Sequence, residues 1–539
     1  MGILLLLLLI NTRYLVIKLF VIHSLEGYRP TKHLLLIFIT VIEAITAYGG
    51  TTNRTKIVLS GDEGGRKRPM NILFIIVDDL RPELGCYGAQ HVRSPNIDQL
   101  AASGAVFDRA YCQFSLCAPS RASLLSGTRP SSTKVFDLYT DFREALPAIQ
   151  SLPQFFKDNG YYTDRFGKVF HIDDVQSWSK AYPAKKFGPS QPERRSPYVS
   201  PVINEAGWKK FEQAKAAGLK GVALERSQRG PAYEIADIAD DSLPDGRIAL
   251  EGIKALKSMK NRQQPFFIAI GFNKPHLPFV APRKYWELYD RNTIQVADNV
   301  FPPADAPLSL GNGAEFFTYT DVPEERPVPA GYAQIARHGY YACISYIDAQ
   351  IGRILTELDL LGLTDNTIVV LWGDNGFKLG EYGSWGKSSN FELDSRIPLI
   401  IRVPGYPQNI KIRGLVELID IYPTLAELTG FTIPSHAEGK SLAALLKDPT
   451  KVGKDAAFTQ CTRLDRMGYS MRTEQYRFTR WVKKGEKDVL ELYDHATDPG
   501  ENTNLGMRPD MQAICKKLSK QMESQISVMY MSQGITYEQ

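Results

Sequence analysis

The chain has 539 residues, 43% hydrophobic and 23% charged, with 42 Gly, 33 Pro and 6 Cys. These proportions fit a folded globular protein and exclude collagenous, disordered and disulfide-dense classes. Lys and Arg number 64 against 59 Asp and Glu, and the resulting formal charge of +5 is too small over this length to mark a nucleic-acid binder.

Residues 1–47 differ from the rest: apolar runs at 4–10, 14–22 and 33–42 are broken by Arg13, Lys18, Arg29 and Lys32. None is a clean span of about 20 apolar residues, so a permanent membrane helix is the weaker reading, although anchoring by this end stays open. Arg29, Lys32 and His33 before the apolar run 34–42, and the small residues 44–50 after it, read as the three regions of a signal peptide. Residues 1–28 then read as an over-extended start, and the expectation is an exported protein with no stable membrane partner. The chain is expected to divide into this extension, a catalytic domain at 70–455 and a C-terminal subdomain at 456–539.

Residues 71–77 form a continuous β-branched and apolar run, the pattern of a strand buried on both faces of a parallel sheet, and it ends in Asp78 and Asp79. Helices are expected at 94–103, which starts with a cap and a proline, at 151–158 and at 252–259. A strand follows at 265–271, then a long amphipathic helix at about 332–361. A second fully apolar strand at 367–372 again runs into an acid, Asp374. A strand at 399–403 and a helix at 419–428 continue the alternation, which indicates an α/β fold with an open, mostly parallel sheet covered by helices. From about Ala456 the pattern changes to short alternating strands at 468–473, 476–482 and 491–494, then a helix at 511–526, which together read as a small antiparallel sheet with one helix.

Residues 174–243 show weak periodicity, with Lys180, Lys185, Lys186, Arg194, Arg195, Lys209 and Lys210 among Trp178, Tyr182, Phe187, Tyr198 and Trp208. An irregular solvated insertion is the favoured reading. The functional alternative is a basic, aromatic rim for an anionic sugar.

Ligands of open α/β sheets collect outside the carboxyl ends of the strands. Two expected central strands end there in Asp78 and Asp79, and in Asp374 followed by Asn375. Such hard oxygen donors, without His or Cys at ligand spacing, suit Ca²⁺ or Mg²⁺ better than Zn²⁺. The six cysteines form no CxxC pair and describe no disulfide framework. One of them, Cys117, opens the run Cys117-Ala-Pro-Ser-Arg121, followed by Ala-Ser-Leu-Leu-Ser-Gly-Thr-Arg129.

This stretch, with the upstream Asp pair, resembles the type I sulfatase family. The resemblance implies an alkaline-phosphatase-like fold and oxidation of Cys117 to formylglycine by a formylglycine-generating enzyme. A hydrated aldehyde carries two hydroxyls: one attacks sulfur and is sulfated, and deprotonation of the other expels sulfate and restores the aldehyde. Gly167-Lys168-Val-Phe-His171 looks like the family's Lys/His element, and Lys274-Pro-His276-Leu-Pro-Phe279 like its second His. Gly373-Asp374-Asn375-Gly376, Leu379-Gly-Glu381 and Gly386-Lys387 look like its second metal pair and further Lys.

The resemblance implies that Asp78, Asp79, Asp374 and Asn375 hold one Ca²⁺ together with the oxygen at position 117. It further implies that Arg121 and Lys168 stabilise the nucleophile and that His171 accepts the proton that triggers sulfate release. His276 would protonate the departing alcohol and Lys387 would bind sulfate, or the two would share these roles. His91, His338, His436 and His495 belong to no such element and read as structural.

The form GKVFH, with NKPHLPF, GEYGSWGKSSNFE and the C-terminal MGYSMRTEQYRFTRWV and ELYDHATDPGENTNL, is similar to the iduronate-2-sulfatase-like branch. Asn375 stands where that branch usually has His, and Phe377, Lys378 and Tyr382 replace residues near its substrate pocket. The expected substrate is a sulfated carbohydrate, with a 2-O-sulfated uronate as the leading choice. A phosphate or phosphonate monoester hydrolase of the same superfamily is one alternative, though a two-metal phosphatase would need more His and Asp ligands. A carbohydrate-binding protein without activity is the other.

Overall fold

The computed structural model describes residues 69–182, 197–307 and 315–531. The extension at 1–47, and Lys185, Lys186, Phe187, Arg194 and Arg195 of the expected rim, lie outside these residues. Among the described residues no helix is long and apolar enough to cross a membrane.

Eight strands build the main sheet: β1 (Asn71–Val77), β2 (Ala105–Tyr111), β3 (Tyr162–Gly167), β4 (Phe266–Phe272), β5 (Thr367–Gly373), β6 (Arg396–Ile397), β7 (Leu399–Arg402) and β8 (Ile410–Glu417). Parallel pairing joins β3 to β4, β4 to β1, and β1 to β5. The antiparallel members are β6 and β7, separated by Pro398; both pair with β2, and β7 also pairs with β5. β8 runs parallel to β2, with an irregularity between Ile412 and Leu415. The sheet is therefore mostly parallel, as expected.

All seven residues of β1 are buried, and they divide by alternation between two cores. Leu73, Ile75 and Val77 face the core lined by helices Pro95–Ala102, Pro244–Met259 and Ala330–Leu360. Ile72, Phe74 and Ile76 face the core lined by helices Cys117–Ser126, Leu152–Asp158 and Ile421–Leu428. A strand apolar on both faces is what a helix-covered parallel sheet requires.

The sheet near the C-terminus has four antiparallel strands in chain order, β9 (Ala457–Arg463), β10 (Arg466–Arg472), β11 (Tyr476–Val482) and β12 (Val489–Asp494). Helix Gln512–Met531 packs on it through Cys515, Leu518 and Met522.

The described residues between 174 and 243 are more regular than an irregular insertion. They contain helices Pro201–Ala216 and Gly221–Ser227, and strand Tyr233–Ala236 pairs with Phe279–Pro282. Helix Pro201–Ala216 buries only Gly207 and Phe211, so it shows little apolar periodicity. Trp178 and Tyr198 are buried, so these two aromatics do not form an open rim, while Lys180 stays exposed and pairs with Asp164 at 2.6 Å.

Candidate active site

Strand register assembles the site. Val77 lies opposite Gly373 across the β1–β5 pair and opposite Phe272 across the β1–β4 pair. Gly167 lies opposite Gly271. The residues that follow, Asp78 and Asp79, Asp374 and Asn375, Lys168, and the loop carrying His276, all emerge at one carboxyl edge of the sheet, where ligands of open α/β sheets collect. Gly271 fits there because a Cβ would run into the backbone of Lys168.

Helix Cys117–Ser126 supplies the next two groups. Pro119 sits in its first turn, where a missing N–H costs nothing. Gly127 closes it at φ 72, and a Cβ at this glycine would lie 2.8 Å from the Tyr422 ring. Cys117 and Arg121 are four residues apart and share a helix face. Lys387 follows the short strand Trp385–Gly386, which pairs with Lys378–Leu379.

The resulting cluster is dense in charge. Arg121, fully buried, donates from Nε to Asp374 at 2.7 Å and from Nη2 to Asp78 at 3.2 Å. It also donates to the carbonyl of Val169 at 3.0 Å. Lys168 Nζ lies 2.6 Å from Asp78 Oδ2. Lys387 Nζ pairs with Asp79 and lies 2.9 Å from Cys117 Sγ. His276 Nδ1 is 2.7 Å from the carbonyl of Leu277, so Nδ1 carries the proton, and Nε2 lies 3.8 Å from Asp79 Oδ2. His171 shares a small cavity with Ala118, Ala122 and Phe142. All the expected site residues therefore gather at this edge.

Burial pushes the Asp78 carboxyl up, but Lys168 and Arg121 outweigh it and hold it well below the usual range. Burial and the neighbouring Asp78 push Asp374 up to about 6. Burial and then Asp78 raise the Cys117 thiol well above its ordinary value, so the unmodified side chain is a poor nucleophile. Burial, then Lys168 and Arg121, lower His171 to about 3, which keeps its ring neutral.

Asp78, Asp79, Cys117 and Asp374 offer ligand atoms within 4.8 Å of one another. Asn375 Oδ1 is buried with no hydrogen-bond partner among the described residues, while Nδ2 donates to Asp79 Oδ1 at 2.8 Å. Clustered carboxylates and an orphaned amide oxygen suit a hard divalent cation such as Ca²⁺. The other grouping of potential ligands among the described residues, Glu392, His495 and Glu501, is occupied by the Arg477 guanidinium, which pairs with both glutamates.

Phe377, Lys378 and Tyr382 are all buried, and Lys378 Nζ pairs with Asp394. Two further residues at the site carry no local sequence signal. The Tyr340 hydroxyl donates to the Asp79 carbonyl at 2.7 Å, and Glu315 approaches His276 Nε2 to 3.9 Å. Both come from distant segments, and only the tertiary fold brings them in. Of the remaining histidines, His91 contacts Glu83, His338 the Trp286 carbonyl and His495 Glu501, while His436 packs on the Tyr422 ring.

Comparison with known proteins gives a consistent picture. The family model described as Sulfatase matches residues 70–431, and a second, described as N-sulphoglucosamine sulphohydrolase, C-terminal, matches residues 380–527. Iduronate 2-sulfatase of Mus musculus is 33% identical over 514 residues, covering 81% of this chain and 90% of that protein. Among solved structures, one in complex with its substrate D-glucosamine-2-N,6-O-disulfate superposes with a TM-score of 0.65 at 22% identity, covering 86% of this chain and 98% of that one. The phosphonate monoester hydrolase of Agrobacterium radiobacter superposes with a TM-score of 0.66 at 21% identity, covering 85% of this chain and 96% of that one. At these identities the superpositions speak for the alkaline-phosphatase-like fold alone.

Proposed function

Since this chain belongs to the sulfatase family and is a sulfuric ester hydrolase, we propose that it removes sulfate from a sulfated carbohydrate, with a 2-O-sulfated uronate as the leading substrate. The observation that carries the reading is the convergence of Cys117, Arg121, Lys168 and Lys387 on the carboxylates at the strand ends. The similarity to iduronate 2-sulfatase supports the choice of sugar.

In this reading Asp78, Asp79, Asp374 and Asn375 would hold Ca²⁺, which would supply Lewis acidity when bound. Cys117 is converted by a formylglycine-generating enzyme to an aldehyde, whose hydrate supplies the nucleophile. The protein's own residues do the rest. Arg121 fixes Asp78 and Asp374 and turns positive charge toward position 117. Lys168 and Lys387 flank that position and bind sulfate oxygens, since preorganised cations stabilise charge that develops during transfer. His171, neutral, accepts a proton beside position 117. The Leu277 carbonyl anchors His276 through Nδ1, which leaves Nε2 to serve the departing alcohol.

The charge balance supports this. Asp78, Asp79 and Asp374 are matched by Arg121, Lys168 and Lys387. A divalent cation would therefore leave the site net positive toward an anionic ester. Export directed by residues 1–47 belongs to the same proposal, and N-terminal sequencing of the secreted protein tests it.

The substrate is tested by incubating the enzyme with defined sulfated mono- and oligosaccharides, among them a 2-O-sulfated uronate, and with a phosphonate monoester. Sulfate release from the uronate is expected to be fastest. Faster turnover of the phosphonate would favour the phosphonate hydrolase reading.

A further inference from the structure

Glu315 precedes the short turn Phe316–Thr318 and reaches the site from outside the strand-end cluster. Its Oε1 accepts from Arg229 Nη2 at 2.9 Å, and Arg229 in turn lies over the Tyr319 ring, 4.9 Å from its centroid. Arg229 Nη1 also donates to the carbonyl of Glu315 at 3.3 Å and to the Thr318 hydroxyl. The next residue, Phe316, stacks on Trp385 at 4.6 Å and 11°, and Trp385 lies two residues before Lys387. Glu315 is thus fixed to the same hairpin that carries Lys387.

Its second oxygen faces the chemistry. Oε2 lies 3.9 Å from His276 Nε2 and has no hydrogen-bond donor among the described residues, and the side chain is 32% exposed. Burial opposes ionisation, yet His276, Lys387 and Arg229 together keep the carboxyl below its ordinary value.

An ionised carboxylate beside cations meant for sulfate opposes anion binding. A fixed acceptor in this place is useful when the substrate brings a donor to it. Building on the sulfate-ester reading, we propose that Glu315 is a specificity-determining residue that accepts a hydrogen bond from a sugar hydroxyl next to the sulfated carbon. It also disfavours substrates that present a second anionic group, or no hydroxyl, on that side.

The test compares the full-length, matured wild type with Glu315→Gln and Glu315→Ala. Kinetics are measured on the best sulfated saccharide of the panel and on p-nitrophenyl sulfate, which has no hydroxyl near its sulfate, and inhibition by inorganic sulfate is measured in parallel. KM for the saccharide is expected to rise about tenfold in Glu315→Ala. KM for p-nitrophenyl sulfate and the inhibition constant for sulfate are expected to fall in both variants. A structural or proton-transfer role would instead lower kcat on both substrates together, and that result would overturn the proposal. An unchanged saccharide KM would overturn it as well. A wild type that releases sulfate from no ester would count against the function itself, whereas a working wild type with the wrong variant pattern counts only against Glu315. Unfolding curves of both variants verify the fold.

Discussion

The Tyr340 hydroxyl donates to the carbonyl of Asp79 at 2.7 Å and accepts from the amide of Arg81 at 3.1 Å. It thereby braces a turn in which Asp79 adopts φ 59, a left-handed conformation uncommon outside glycine. Tyr340 sits within helix Ala330–Leu360 and is fully buried, so the longest helix among the described residues fixes the backbone at Asp79, one of the clustered carboxylates.

Tyr340→Phe removes the brace without changing the packing shape. Two buried backbone groups lose their partner, at a cost of about 1–3 kcal/mol. Thermal unfolding is expected to shift down modestly, and half-maximal activity is expected to need more Ca²⁺. A calcium titration of both proteins after chelation checks this; superimposable curves would mean that Asp79 keeps its place without Tyr340.

Arg121 and Lys168 both contact Asp78, yet their loss should be felt differently. Arg121 is fully buried between Asp78 and Asp374, and Arg121→Ala leaves both without their guanidinium, a loss of about 3–5 kcal/mol. The Lys168 side chain is 20% exposed, so Lys168→Ala is expected to fold nearly as well as the wild type but to turn over about 10²–10³-fold more slowly. Denaturant unfolding together with kcat separates the two effects.

Glu491 gives a pH dependence outside the site. It lies in β12, and burial pushes its carboxyl up from 4.5 to about 8. Between these values the unfolded chain has released the proton while the folded chain retains it, so rising pH favours unfolding. Thermal stability is expected to fall across pH 4.5–8, by an amount on the order of a few kcal/mol. Glu491→Gln should flatten that slope, and melting temperatures at pH 5 and pH 8 measure it. Equal slopes in both proteins would place the titration elsewhere.

Much of this arrangement was legible in the sequence because its signals are local. A continuous apolar run ending in acids identifies β1 and β5 together with Asp78, Asp79 and Asp374. The run from Cys117 to Arg121 sets two groups on one helix face. β2 was not legible, since Asp108 and Arg109 interrupt its apolar run and find partners in Arg396 and Glu474 only in the fold. β8 was hidden by Arg413-Gly414 at its irregularity. Lys378 carries no local signal of burial, and Asp394, 16 residues on, draws it inside. Tyr340 and Glu315 have no sequence signal at all, because what matters in them is the hydroxyl or carboxylate that a distant segment delivers to the strand ends.

The central role of Cys117 is tested by sulfate release from a defined sulfated disaccharide by the wild type and by Cys117→Ala, both produced with a formylglycine-generating enzyme. Release is expected from the wild type, whose Cys117 peptide carries the mass of an aldehyde in place of the thiol, and none from the variant. Release by Cys117→Ala at the wild-type rate would contradict that role.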